Sequence, residues 1–274
     1  MFKHFKTIIL NFAPLDNNAN ITSEVWLDIV KQMYKNGVTN FVLEKLSAEK
    51  SYKSIIDFLE EKQLKYIVIS EDINYSFINK NKIFYKAKME NLKDYKNENV
   101  LIKIGIEDLN INIKKKFEEI KLGKIIIDLE NYCQTMHSNY WKNRIYTTNK
   151  NQQFSINDRK NLVRFSSLLL RNKSNWNIIN GIDYLKQISN YGITQNWRCK
   201  FMNGFVINND SSMSICKQKN FIKPISVYDI GEGNFIDDKK IEENFLKNTI
   251  NTSQNCSGCF QFFKYDEEFW SELE

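Results

Sequence analysis

"KTIILNFAPLDNNANITSEVWLDIVKQMYKNGVTNFVLEKL" occupies residues 6–46, and its change of period decides the fold. Residues 6–12, "KTIILNF", are a short apolar run rich in β-formers, which predicts a strand. Residues 22–37 have a helical period instead. Val25, Ile29 and Met33 recur on one face, Thr22 and Glu24 form the opening cap, and Gly37 marks the stop. "TNFVLEKL" (39–46) returns to the strand pattern. Strand, amphipathic helix, strand is a βαβ unit, and such units build a parallel sheet.

The alternation continues along the chain. A helix is expected over 50–63, with Ile55, Ile56, Phe58 and Leu59 inward, and a strand over 65–72. After an irregular stretch come a strand over 99–107, a helix over 110–123 and a strand over 124–131. "RIYTT" (144–148) is the candidate sixth strand, and helices follow at 156–172 and 179–191. An eight-fold barrel needs more chain than this. The expected fold is therefore α/β, a partial (β/α) barrel of about six strands over residues 1–192. From Trp197 onward short alternating runs, turn residues and cysteines predict a small β-rich cysteine module over residues 193–274. There is no internal repeat.

Composition narrows the function classes. The chain has 274 residues, 42% hydrophobic and 26% charged, so it buries a sizeable core without needing a metal to fold. Its formal charge of +6 comes from lysines spread along the chain. Of the local runs, "IKKKFEEIK" (113–121) carries its own acidic partners and reads as a solvated helix face. "NKNKIFYKAK" (79–88) mixes aromatics with lysine, but a basic surface loop accounts for it better than a phosphate contact. No nucleic-acid module is recognisable, so no nucleic-acid partner is expected. No stretch approaches the roughly 18 apolar residues of a membrane span, and "MFKHFKTIILNFAPL" lacks a small-residue cleavage site. A cytoplasmic chain, with no membrane partner, is expected. In that reducing compartment paired cysteines favour metal over disulfide.

Four of the five cysteines fall in the last 76 residues: Cys199, Cys216, Cys256 and Cys259, spaced C-x16-C, a gap of 39, then C-x2-C. A C-x2-C loop turns two thiolates toward one point, and a hairpin brings the ends of the 16-residue insert together. Four thiolates make a tetrahedral sulfur cage that suits either zinc or an iron–sulfur cluster, and the spacing does not choose between them.

The same module resembles the twitch or SPASM-type auxiliary-cluster domain of radical S-adenosylmethionine proteins. Cys199 precedes the hairpin "FVINNDSSMSIC", which ends at Cys216; "DIGEGNFID" (229–237) carries the family's "GN" element at Gly233 and Asn234; "NCSGC" supplies Cys256 and Cys259. Ser211 stands where the family has a turn glycine, among the turn formers Asn208, Asn209 and Asp210. With no further cysteine pair, the resemblance implies one auxiliary [4Fe–4S] cluster on Cys199, Cys216, Cys256 and Cys259, the twitch pattern. Residues 21–43 resemble the first helix and second strand of the family's partial barrel.

The family's defining CxxxCxxC motif is absent. The first strand is followed by "APLDNNANIT" (13–22), and no cysteine precedes Cys133. The family's "GGE" turn after the second strand is here "EKL" (44–46), which removes the glycine approach to the cofactor. The resemblance thus implies a degenerate relative with no catalytic and no S-adenosylmethionine-binding residues. Its role would be that of an accessory protein, binding a peptide or protein substrate for a partner modifying enzyme. Two other readings stay open: a zinc-stabilised interaction module, or an enzyme using the cluster or a Cys133–His137 nucleophile pair in "NYCQTMHSNY". Glu71 and Asp72 follow a strand end and are further candidates for a barrel mouth. The aromatic tail, with Phe260, Phe262, Phe263 and Phe269, is expected to pack into a core, with a partner-binding edge as the alternative.

Overall fold

A computed structural model describes residues 6–13, 21–46, 52–71, 76–105, 107–110, 113–129, 156–194, 204–209, 212–214, 225–226 and 263–273. The chain divides into two compact units. One comprises Met1–Tyr85 with Lys200–Thr252, the other Lys86–Cys199 with Ser253–Glu274.

The first unit holds β1 (Thr7–Asn11), α1 (Ser23–Lys35), β2 (Asn40–Glu44), α2 (Lys53–Glu61), β3 (Lys65–Ser70), the first half of β4 (Ile83–Lys88), and β7 (Gly204–Asn208), β8 (Ser212–Ser214) and β9 (Ile225–Ser226). Its strand order is β4-β3-β2-β1-β7-β8-β9. β1 is parallel to β2 on one side and to β7 on the other, while β8 and β9 turn back antiparallel. Thr22 caps α1, its hydroxyl accepting from the Val25 amide at 3.5 Å, as the sequence led us to expect. Trp26, Ile29, Val30 and Met33 are its buried face.

The second unit holds the rest of β4, β5 (Val100–Ile104), α3 (Ile113–Glu119), β6 (Ile125–Leu129), α4 (Ile156–Asn172), α5 (Ile182–Thr194) and the C-terminal α6 (Glu267–Glu272). β5 and β6 are parallel, Val100 opposite Ile125 through Ile104 opposite Leu129. Val100, Ile102 and Ile104 share a face with Ile125, Ile127 and Leu129. That face is covered by Phe117 of α3, Leu162, Phe165 and Leu169 of α4, and Tyr184, Leu185 and Ile188 of α5. Each fully buried aliphatic side chain of this kind contributes roughly 1.5–3 kcal/mol.

Among the described residues β1–β7 are parallel, an open seven-stranded sheet flanked by helices, and the expected partial barrel is what the chain builds. The strand count differs in detail. β4 lies inside the stretch read as irregular and basic, and β7 is a further parallel strand from the region after Trp197. The candidate strand over 144–148 lies outside the described residues. β4 escapes a βα pattern: among the described residues between β3 and β4 the one helical element is the single turn Lys80–Lys82.

Among the described residues the outer edge of β6 is closed by the backbone of Asn177–Ile179 and by two side chains. The Ile125 amide donates to Asn177 O (2.9 Å), and the Ile179 amide donates back to Ile125 O (3.0 Å). One residue on, the Asn180 carboxamide takes the place of a neighbouring peptide group. Its Oδ1 accepts from the Ile127 amide at 2.6 Å and its Nδ2 donates to Ile127 O at 3.1 Å. The Leu129 amide donates to the Tyr184 hydroxyl at 3.2 Å. Asn180 and Tyr184 are fully buried. Satisfying an edge this way removes the template on which further strands add.

The C-terminal segment is part of the same unit. Tyr265, Phe269, Trp270 and Leu273 are buried, so Phe269 of the aromatic tail is core, as the sequence suggested. Phe260, Phe262 and the Phe263 ring lie outside the described side chains. Glu268 accepts from the Ile182 amide at the start of α5 (2.6 Å), and Lys173 pairs with Glu268 and Glu272. Asp266 caps α6 by accepting from the Phe269 amide at 2.8 Å. A Cβ at Gly181 would stand 2.1 Å from the Asp266 carboxylate, so only glycine lets the cap sit here.

Burial raises the Asp266 carboxyl to about 6, and the charges of Glu268 and Asp183 add to that, against the Phe269 amide and Lys173. A folded pKa above the unfolded carboxylate value means the folded state holds the proton more tightly. Its stabilising contribution is complete below about pH 4 and is lost as pH rises through 6. Asp266→Asn keeps the capping oxygen without the charge. It is expected to stabilise the protein by about 1 kcal/mol at pH 7.5, after solvent screening, and to do nothing at pH 4. Urea midpoints at the two pH values check this.

Candidate functional site

In parallel α/β sheets, ligands bind beyond the carboxyl ends of the strands. In the first unit those ends carry a polar row. Register places Asn11 of β1 opposite Glu44 of β2 and opposite Asn208 of β7, and Glu44 opposite Ile69 of β3. Register partners in a parallel sheet point to one face. On that face the row below is Ile9, Val42, Ile67 and Val206, all fully buried. The opposite face carries Phe41 and Tyr66, and the Tyr66 hydroxyl donates to Glu60 of α2 at 2.7 Å. The polar row therefore lies on the face turned away from α2, which in a barrel is the interior.

These polar groups are organised. Asn11 Nδ2 donates to Asn208 Oδ1 (3.1 Å), and Asn11 Oδ1 accepts from the Ala13 amide (3.3 Å). Glu44 is 9% exposed, and Lys45 beside it has φ +57. A left-handed turn thus exists after β2, but leucine, glutamate and lysine occupy it where the resembled family uses glycine. Around the loop after β1, Phe12 packs on Trp26 (ring centroids 4.4 Å) and on Tyr52 (5.6 Å).

In the second unit the face opposite the helical core carries Lys103 of β5, in register with Asp128 of β6. Lys264 reaches Asp128 at 2.8 Å with its side chain 5% exposed and that of Asp128 20% exposed. The Tyr265 hydroxyl next to it is buried with no hydrogen-bond partner among the described residues, and burial and the Asp128 charge raise it well above the usual phenol range.

Of the residues expected from sequence, Glu71 follows β3 and is exposed. Cys199, Cys216, Cys256, Cys259, Cys133, His137, Asp72, Gly233 and Asn234 lie outside the described residues. The hairpin expected between Cys199 and Cys216 is present, Val206 pairing with Ser214 and Ile207 with Met213. Among the described residues no group of three or more His, Cys, Asp or Glu is placed to hold a metal. Nor is any helix there long and apolar enough to cross a membrane.

β1 ends at Asn11 and α1 starts at Ser23, and the residues between hold no cysteine or histidine. The three-thiolate set that binds a cluster at this position in the resembled family does not fit this chain.

Asn11, Asn180 and Lys264 were not singled out from the sequence, and Asn208 and Asn209 were read only as turn formers. Their roles arise from pairing between distant segments, which leaves no local pattern.

No protein-family model matches the chain, and no curated protein matches it. Its fold has solved counterparts. The structure of Streptococcus suis SuiB bound to precursor peptide SuiA aligns with TM-score 0.50 and 11% identity, over 85% of this chain and 64% of that one. The likeness is one of fold. The present chain spans less than two thirds of SuiB. A second structure, SuiB bound to S-adenosylmethionine, aligns with TM-score 0.44 and 12% identity over 85% of this chain and 65% of that one, a score too low to bear on function.

Proposed function

We propose that this chain is a catalytically silent relative of radical S-adenosylmethionine proteins, an accessory that recognises a peptide or protein substrate for a partner maturation enzyme. Residues 1–192 together with β7 are the barrel region, and the cysteine-bearing remainder of 193–274 is the auxiliary-cluster region. Cys199, Cys216, Cys256 and Cys259 hold one [4Fe–4S] cluster. The observation that carries the reading is the carboxyl end of β1. The strand is an inner member of a parallel sheet, yet the chain leaving it has no thiolate and the row at its end is Asn11, Glu44 and Asn208.

Such a row suits binding rather than bond breaking. Carboxamides offer a donor and an acceptor side by side, the complement of a peptide group. The open barrel supports an extended ligand, and SuiB was crystallised with a precursor peptide. Four thiolates match the donor chemistry of a cluster, which supplies electron transfer or simply bracing when bound.

Anaerobic affinity purification from the native host tests the partner. The expected result is stoichiometric retention of a peptide-modifying enzyme or its precursor peptide, weakened by Asn11→Ala with Asn208→Ala. A chain that retains neither contradicts the reading.

A further inference from the structure

The loop leaving β1 is held at both ends by one residue outside it. Asn209, which follows β7, is 4% exposed. Its Nδ2 donates to Phe12 O at 3.4 Å, at the start of the loop. Its Oδ1 accepts from the Ile21 amide at 3.2 Å, at the loop's end, and from Trp26 Nε1 at 3.3 Å, inside α1. The Asn209 carbonyl also lies 3.2 Å from the Ile21 amide. Asn208 beside it holds Asn11, and Asn11 holds Ala13. The tip of the β7–β8 hairpin is thereby joined to the beginning and end of the β1–α1 connection.

Only a carboxamide serves all of these contacts. A carboxylate accepts from Ile21 and Trp26 but has no donor for Phe12 O, and an aliphatic side chain does neither. Each bond is buried, so breaking one leaves an unpaired group. We propose that Asn209 is a positioning residue that couples the β7–β8 hairpin to the β1–α1 connection, so that a change at the hairpin is felt at the mouth of the sheet. The coupling rests on the cluster site proposed above only in its biological use, because Cys216 follows Asn209 by seven residues. The linkage itself is carried by the described contacts.

Trp26 reports the coupling directly through its indole N–H. The full chain is labelled with [15N-indole]tryptophan, the Trp26 signal is assigned with Trp26→Phe, and zinc ion is titrated in as the probe. In the wild type, zinc uptake is expected to move the Trp26 indole resonance. In Asn209→Ala, zinc binds equally but the resonance stays still, and Asn209→Asp restores part of the response. Amide exchange gives a second readout. Asn209→Ala should speed exchange at Ile21 by about tenfold more than at Val42, in the middle of β2. Zinc bound by the wild type with no movement at Trp26, or equal acceleration at Ile21 and Val42, overturns the coupling. A chain that takes up neither zinc nor iron overturns the cluster reading, and the Ile21 exchange then decides the coupling alone.

Discussion

Asn180→Ala is expected to lower the unfolding free energy by about 2–6 kcal/mol, because it strips both edge partners from Ile127 at once. Ile127 is fully buried, so neither its N–H nor its C=O recovers a hydrogen bond from water without opening the structure. The two losses are worth about 1–3 kcal/mol each. Asn180→Asp keeps the acceptor but sets a buried carboxylate against the Ile127 carbonyl, so it should be no milder. The edge exposed by either change is a template for strand addition, and self-association should appear alongside the lower urea midpoint. A loss below about 1 kcal/mol with a monomeric product would mean the edge is satisfied in another way.

Lys264→Ala has the second large effect, about 2–3 kcal/mol. Its cause is electrostatic. Lys264 and Asp128 meet at 2.8 Å with the lysine almost wholly buried. Removing one member of a buried pair leaves a charge that has lost both solvent and partner, at 3–5 kcal/mol when burial is complete. Asp128 keeps 20% of its surface, which reduces that figure. The double change Lys264→Met with Asp128→Leu removes both charges and should cost less than Lys264→Ala alone. Urea unfolding of the two singles and the double gives the coupling. A double variant whose loss equals the sum of the losses of Lys264→Met and Asp128→Leu would show that the pair contributes no interaction.

The elements legible in the sequence were those whose signal is local. β1, α1, β2, α2 and β3 follow one another with the period switching between two and 3.6, and β5, α3 and β6 repeat the pattern. β4 was not legible. Its residues Ile83, Phe84 and Tyr85 are buried, but three lysines within Lys82–Lys88 hide the alternation. β7 and β8 were expected as a hairpin from the turn formers Asn208 and Asn209. Their attachment to β1 was not, since nothing in "GFVIN" states which edge it joins. Asn180–Gly181 falls within the helix expected over 179–191, whereas α5 starts at Ile182. The work of Asn180 as a substitute strand depends on β6, which lies far from it in sequence.

The absence of thiolates after β1 was legible as well, and the structure gives it meaning. A loop without cysteine is unremarkable until β1 is placed inside a parallel sheet with its carboxyl end beside Glu44 and Asn208. The same placement explains why binding is the reading favoured here. Among the described residues the polar row at this end consists of two amides and one carboxylate, arranged in register, with Asn209 bracing the chain that leaves β1.

The most direct test of the central claim is an anaerobic metal and turnover analysis of the purified full-length chain. The protein is assayed for iron, sulfide and zinc, and incubated with S-adenosylmethionine and a strong reductant. The account predicts about four irons and four sulfides per chain, abolished by replacing Cys199, Cys216, Cys256 and Cys259, with no 5′-deoxyadenosine formed. Cleavage of S-adenosylmethionine to 5′-deoxyadenosine, or iron that persists after those four cysteines are replaced, would contradict it.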